Sequence, residues 1–260
     1  MRVAQEIKLK NGFNCRDLGG YQTTSGRMVK AHKLIRAGYL SDLDSADQQV
    51  LDDYGVRTVI DLRSPMEILK YPDQLSGRSR YLRIPVSRQD LTESTANLRS
   101  LAGQLTDKRA GFQLMMRSYQ QLIVNVEAQQ AYRHFFQVLL SSASGGILFH
   151  CSSGKDRTGL LTILTLMMLG VPDDVVKADY LQSNWVSAIR VNDRLNEAKR
   201  VSGNLAYLQS IFDLSIVREA YFERVLSIIN DQYGGIKSYC YEQLGLSEDD
   251  LTKLKELVLE

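Results

Sequence analysis

The sequence predicts an α/β fold, in which a central, mainly parallel sheet is flanked by helices and the C-terminal third is helical. Three observations predict it. Short β-branched and apolar runs alternate with helix-period segments up to residue 150, the pattern of strands joined by crossover helices. Beyond residue 150, apolar positions recur only at helical spacing. With 260 residues and 44% hydrophobic composition the chain is long enough to bury a full core. No linker-like stretch interrupts it, so residues 1–260 are expected to form a single domain.

The elements follow in order. RTVIDLR from Arg57 and RYLRIPV from Arg80 to Val86 read as strands, and GGILFH from Gly145 to His150 as a third. Between the second and third, Phe112, Met115, Met116, Tyr119, Leu122 and Ile123 mark one amphipathic helix. Tyr132, Phe135, Phe136, Leu139 and Leu140 mark another. After the third strand, helices are expected over Leu160 to Leu169, Asp173 to Asn184 and Ile216 to Asn230, with Gly170 and Pro172 ending the first. Ser247 and Asp250 form a capping-box pattern for a last helix that carries Leu251, Leu254, Leu257 and Val258. Leu91 to Gly111 is polar and weakly periodic. It reads either as a solvated helix-turn connection or as an inserted lid over a site.

Charge and cysteine usage exclude several functions. The net charge of +2 offers no general attraction to nucleic acid or to an anionic membrane. Three cysteines (15, 151 and 240) are too few for a disulfide framework and favour a reducing compartment. No cysteine and histidine set has metal-ligand spacing, so neither a structural zinc nor a cofactor is expected. The start MRVAQEIKLKNG lacks the apolar core of a signal peptide, and the longest apolar run, Leu160 to Leu169, is too short to span a bilayer. A cytoplasmic location is expected. A start of this kind is also compatible with export that uses no N-terminal signal.

The informative stretch is HCSSGKDRTG, His150 to Gly159, set between an apolar strand and an apolar helix. A loop leaving a strand and entering a helix turns backbone N–H groups inward, and the helix N-terminus adds roughly half a positive charge. A phosphate dianion fits such a loop, with Ser152, Ser153, Gly154, Lys155 and Thr158 around it. Gly154 permits the sharp backbone path. Cys151 stands at the entrance, where the dipoles and Arg157 favour the nucleophilic thiolate. Arg157, six residues on, has the planar fork to grip two phosphate oxygens, and the Thr158 hydroxyl is placed to stabilise a departing thiolate. His150 is expected to hydrogen-bond the loop backbone rather than to move protons. The stretch is not a Walker loop, because Asp156 follows Gly154-Lys155, and no Gly-x-Ser-x-Gly elbow is present.

HCSSGKDRTG resembles the signature of the protein tyrosine phosphatase superfamily, and in particular the bacterial tyrosine/serine phosphatases whose loop reads Cys-x-x-Gly-Lys-Asp-Arg. NCRDLGGY (Asn14 to Tyr21), LIRAGYL (Leu34 to Leu40), VIDLRSPME (Val59 to Glu67) and DYLQSN (Asp179 to Asn184) are similar to further segments of that family. Cys15 departs from it, standing where the family usually has an aromatic residue. The resemblance implies a protein tyrosine phosphatase-like fold and hydrolysis of phosphotyrosine through a phosphocysteine. It also implies that Lys155 binds additional phosphates, so that phosphoinositides join phosphorylated proteins as substrate candidates. For the general acid it favours Asp156 in the loop, with Asp90 as the alternative after the strand RYLRIPV. Asp17, Arg36, Asp61 and Arg63 are expected to form a buried ion-pair network behind the loop. The competing readings are an inactive relative that binds phosphorylated partners and a sulfurtransferase.

Overall fold

The computed structural model describes residues 4–92, 96–142 and 144–260. Its elements are β1 (Gln5–Glu6), β2 (Arg16–Asp17), β3 (Leu34–Ala37), α1 (Ser45–Asp53), β4 (Val56–Asp61), α2 (Pro65–Lys70), β5 (Arg80–Arg83), α3 (Leu98–Gln104), α4 (Ala110–Val124), α5 (Val126–Ser141) and β6 (Gly146–His150). There follow α6 (Arg157–Leu169), α7 (Asp173–Val186), α8 (Ala188–Val201), α9 (Leu205–Ser215), α10 (Glu219–Tyr233), α11 (Ile236–Ser238) and α12 (Glu248–Val258). Six strands form one mixed sheet in the order β1-β2-β3-β6-β4-β5. The four-strand run β3-β6-β4-β5 is parallel, and the two short N-terminal strands add to it antiparallel.

Alternation along the strands divides the core between the two faces of the sheet. Ile35, Ala37, Val59 and Leu148 pack on α1 through Leu51 and on the N-terminal arm through Ile7 and Cys15. Leu34, Ile60, Ile147 and Phe149 face the larger core built with α4, α5 and α6. Central β6 is buried at every position, and α6 is buried everywhere except Met167. A helix this apolar on all sides must be enclosed, and it is wrapped by the C-terminal helices. Gly170, left-handed at φ 88°, ends α6 as the sequence predicts. Ser247 and Asp250 close the expected capping box of α12.

The three strands read from sequence are β4, β5 and β6. The antiparallel edge β1-β2-β3 goes beyond that reading, as do α1, α8 and α9. Of the 91–111 segment, residues 93–95 lie outside the described residues. The remainder holds α3, whose Leu98 carbonyl accepts from the Tyr207 hydroxyl at 3.1 Å.

Candidate active site

The loop from β6 to α6 is held by its carbonyls. Ser152 O accepts from Tyr39 N–H at 3.1 Å, Ser153 O from Asn14 Nδ2 at 2.9 Å, and Gly154 O from Arg36 Nη2 at 2.8 Å. In a trans peptide the C=O and the next N–H point opposite ways. The N–H groups of Ser153, Gly154 and Lys155 therefore turn toward the inside of the loop. Gly154 is left-handed at φ 68°, and a Cβ there would lie 2.4 Å from Ala37 O, so only glycine lets the loop seat on β3. Asn14 is itself left-handed at φ 52°, a conformation asparagine tolerates, and this turns its amide onto Ser153. Here lies the physical content of the NCRDLGGY and LIRAGYL segments: they are struts for the loop.

Cys151, Ser152, Gly154, Lys155, Asp156, Arg157 and Thr158 are all brought together on this loop and the first turn of α6, with Ser153 half-buried among them. Arg157 is 2% exposed and meets Glu67 end-on, Nη1 to Oε2 and Nη2 to Oε1, both at 2.7 Å. Such a bidentate pair fixes the guanidinium plane. Its Nε has no partner among the described residues and, with the second N–H of Nη2, forms an edge available to an anion. Glu67 also accepts from Ser152 Oγ and caps α2 through Ser64 N–H at 2.9 Å. Burial acts to raise the Glu67 carboxyl, but the Arg157 guanidinium and these donors outweigh it and hold the group below the ordinary carboxylate range. The Thr158 hydroxyl is buried with no partner among the described residues.

Behind the loop, His150 Nε2 lies 3.0 Å from Asp73 Oδ2, and its Nδ1 lies 3.3 Å from Cys151 O. Burial acts to lower the imidazolium, but Asp61 and Asp73 prevail and raise its pKa. Asp61, Asp73 and His150 have the spacing of a metal site. Arg63 nevertheless pairs with both carboxylates, 2.7 Å from Asp61 and 2.9 Å from Asp73, so the anionic donors already have their cation. Arg36 pairs with Asp179 on α7 at 2.6 Å, and Arg16 bonds Asp179 O at 3.1 Å. The expected ion-pair network thus holds for Arg36, Asp61 and Arg63. Asp17 differs: it accepts from neutral donors, His32 N–H and Tyr54 OH at 2.7 Å and Gly19 N–H at 2.8 Å.

Lys155 and Asp156 belong to a second buried chain. Lys155 Nζ bonds Asp156 Oδ2 at 2.7 Å, the Tyr119 hydroxyl bonds Asp156 Oδ1 at 2.8 Å, and the Tyr180 hydroxyl donates to Tyr119 at 2.6 Å. Lys155 lines an open cleft of about 420 Å3 together with Ser152, Ser153, Tyr39, Tyr71 and Arg190. Ala96 and Leu98, from the 91–111 segment, stand in its wall. Asp90 lies on the other side of the loop, its Oδ1 3.7 Å from Arg157 Nη2.

Residues 7–260 match the model of the tyrosine phosphatase family. The chain belongs to that family. A Cupriavidus necator protein whose name carries the words "tyrosine-protein phosphatase" is 30% identical over 246 residues, 93% of this chain and 84% of that one. The tyrosine-protein phosphatase of Nostoc commune is 27% identical, covering 87% of this chain and 74% of its own. The triple specificity protein phosphatase PtpB of Mycobacterium tuberculosis is 27% identical over 97% of this chain and 98% of its own. The protein is therefore a cysteine-dependent phosphatase with a mostly parallel sheet flanked by helices.

The phosphatase loop depends on residues beyond those predicted from sequence. Glu67, Asp73, Tyr119 and Asn14 each contact the loop or its supports. Glu67 carries a signal of its own: Ser64-Pro65-x-Glu67 is a capping box with proline at the first helical position, and it marks a helix start next to a strand end. Asp73 and Tyr119 carry none, being brought to the loop by long-range packing.

Proposed function

We propose that the chain hydrolyses phosphotyrosine in proteins through a phosphocysteine on Cys151, with all 260 residues acting as one catalytic domain. The observation that supports this is the loop itself, whose carbonyls are bonded outward around Cys151 while Glu67 presents the Nε edge of Arg157. Cys151 Sγ attacks phosphorus in line with the phenolic oxygen; the S–P bond forms as the P–O bond breaks and the phenol takes a proton. Water then attacks the phosphocysteine, releasing inorganic phosphate and returning the thiolate, which the Thr158 hydroxyl, without a partner among the described residues, is suited to stabilise. The loop N–H groups and Arg157 carry the equatorial oxygens, with Ser152 and Ser153 supplying backbone.

Access to the cleft favours Asp90 over Asp156 as proton donor. Asp156 is 1% exposed and both its oxygens already accept, from Tyr119 and Lys155, which makes it a brace for Lys155. Asp90 faces an open cleft beside Arg157. Phenol leaves with a pKa near 10 and needs the proton, whereas an activated phenol does not. Asp90→Asn should therefore depress phosphotyrosine turnover more than that of an activated aryl phosphate; the same selective loss in Asp156→Asn instead would reverse the assignment. A second reading, phosphoinositide substrates, is favoured by Lys155, Arg190 and Arg194 in the cleft, cations suited to further phosphates. Cys151→Ser should bind vanadate and release no phosphate from p-nitrophenyl phosphate; residual turnover above a few per cent would sink the phosphocysteine. No described helix is long and apolar enough to cross a membrane, and the three free, buried cysteines support a cytoplasmic location.

A further inference from the structure

One open cleft lies over the phosphate loop and a second beside Arg157, and the reaction draws on the second only through Asp90. The first, over Lys155, is lined by the loop residues Ser152 and Ser153. The second, about 480 Å3, begins at the carboxylates beside Arg157, Glu67 and Asp90, and runs out between α2 and the chain after β5. The two share Lys70 in their linings. On the bank of the second cleft, Met66 and Leu69 stand one turn apart on α2, 70% and 76% exposed, while the helix's inner face carries Glu67 and Ile68. Opposite them is Arg88, its side chain 87% exposed. Its partner Glu127 lies 3.1 Å away, and an exposed pair of this kind is weak enough to exchange for another carboxylate.

We propose that this second cleft is a specificity subsite for the polypeptide flanking phosphotyrosine, taking an apolar side chain against Met66 and Leu69 and a carboxylate on Arg88. The inference deepens the phosphotyrosine reading and rests on it. Three features favour a peptide. Apolar Met66 and Leu69 stand on one bank and cationic Arg88 on the other, and neighbouring side chains of an extended chain point to opposite sides. The cleft starts at Glu67 and Asp90, both of which lie against Arg157, so a chain attached to the phosphotyrosine reaches it without a separate docking event. Lys155 and Arg190, the cations suited to a headgroup, line the first cleft and not the second. The apolar contacts of Met66 and Leu69 suit a side chain and have no counterpart on an inositol ring.

The test compares free phosphotyrosine with a short phosphotyrosine peptide bearing leucine and glutamate beside the phosphotyrosine, and with the same peptide bearing alanine and lysine. The wild type should favour the first peptide over free phosphotyrosine by about tenfold in kcat/KM, the return on burying one apolar side chain. Met66→Ser/Leu69→Ser should remove that preference through KM and leave p-nitrophenyl phosphate turnover unchanged. Arg88→Glu should turn the preference toward the lysine peptide. Equal kcat/KM for the peptides and free phosphotyrosine in the wild type would overturn the subsite, as would variants that slow all substrates alike. Phosphoinositide turnover that falls with the peptide preference would assign the cleft to a headgroup instead. Failure to hydrolyse free phosphotyrosine would refute the phosphotyrosine reading itself, an outcome distinguishable from loss of peptide preference alone.

Discussion

Replacing Glu67 by glutamine removes one charge and changes almost no volume, and it isolates what aligns Arg157. The carboxylate takes two guanidinium bonds at 2.7 Å and a third from Ser64 N–H at 2.9 Å in a site 2% exposed. Deleting one partner of a buried pair costs about 3–5 kcal/mol, because the other charge is left behind. Glutamine keeps one acceptor oxygen and points an NH2 at a guanidinium N–H, so the loss should be at the lower end. At about 2–4 °C per kcal/mol for a chain of this size, Tm should fall by roughly 6–12 °C. A guanidinium free to tilt misplaces the phosphoryl group, and misplacement on the order of 1 Å costs about 100-fold in rate. Steady-state turnover of p-nitrophenyl phosphate and thermal unfolding measure the two effects.

The same substitution carries a ligand signature and a pH signature. Phosphate restores an anion to Arg157, so saturating phosphate should raise the Tm of Glu67→Gln by more than it raises the wild type's. Burial would raise the Glu67 carboxyl, but Arg157 outweighs it and the folded-state pKa is depressed. Its contribution to stability is therefore complete above the unfolded value of about 4.3 and disappears as pH falls through the lower folded value. The Tm difference between the two proteins should be constant near neutrality, begin to shrink below about pH 4 and close only as pH reaches the folded value of about 2. A variant with wild-type Tm, more than half the wild-type kcat and no enhanced phosphate response would refute the view that Glu67 aligns Arg157.

Arg157→Lys keeps the charge and loses the planar fork, so turnover should fall nearly as far as in Cys151→Ser; near-normal kcat would show that charge alone suffices. Lys155→Ala should weaken phosphoinositide hydrolysis more than that of a small aryl phosphate, since only the former has further phosphates for the ammonium; equal losses would make Lys155 a shaping residue alone. Tyr119→Phe strands the Tyr180 hydroxyl and removes one donor from Asp156, a cost of about 1–3 kcal/mol for buried groups. It should raise KM for multiply phosphorylated substrates with little change in kcat, and an unchanged KM with lowered Tm would confine Tyr119 to structure.

How much of this was legible in the sequence depends on how local the physics is. The strand-loop-helix around Cys151 is read from the contiguous run 146–169, because β6 and α6 are mainly apolar and the loop between them is short. The parallel sheet follows from the alternation of strands and helices, a periodicity that spans whole segments. The strands β1 and β2 escaped because two residues give no period to read. β3 escaped because Arg36 interrupts its apolar run, and that arginine is buried only by virtue of Asp179 on α7 and Gly154 O on the loop.

The supporting residues show the same division more sharply. Arg36 and Asp179 are 143 residues apart, Arg157 and Glu67 are 90 apart, and Asp156 and Tyr119 are 37 apart. Of those partners Tyr119 carries no local signal, whereas Glu67 has its capping box and Asp179 opens the DYLQSN segment, yet none of these signals names the residue it will meet. What joins them is a shared requirement: a loop that presents its N–H groups to a dianion must have its carbonyls and its arginine satisfied from outside, and every satisfying group must itself be buried and neutralised. Asn14, Arg36 and Tyr39 take the carbonyls, Glu67 takes the guanidinium, Asp179 takes Arg36, and Arg63 neutralises the aspartates behind His150. The chemistry is written in one short segment, whereas the rigidity that makes it useful is distributed over the sheet edge and the helices that enclose it.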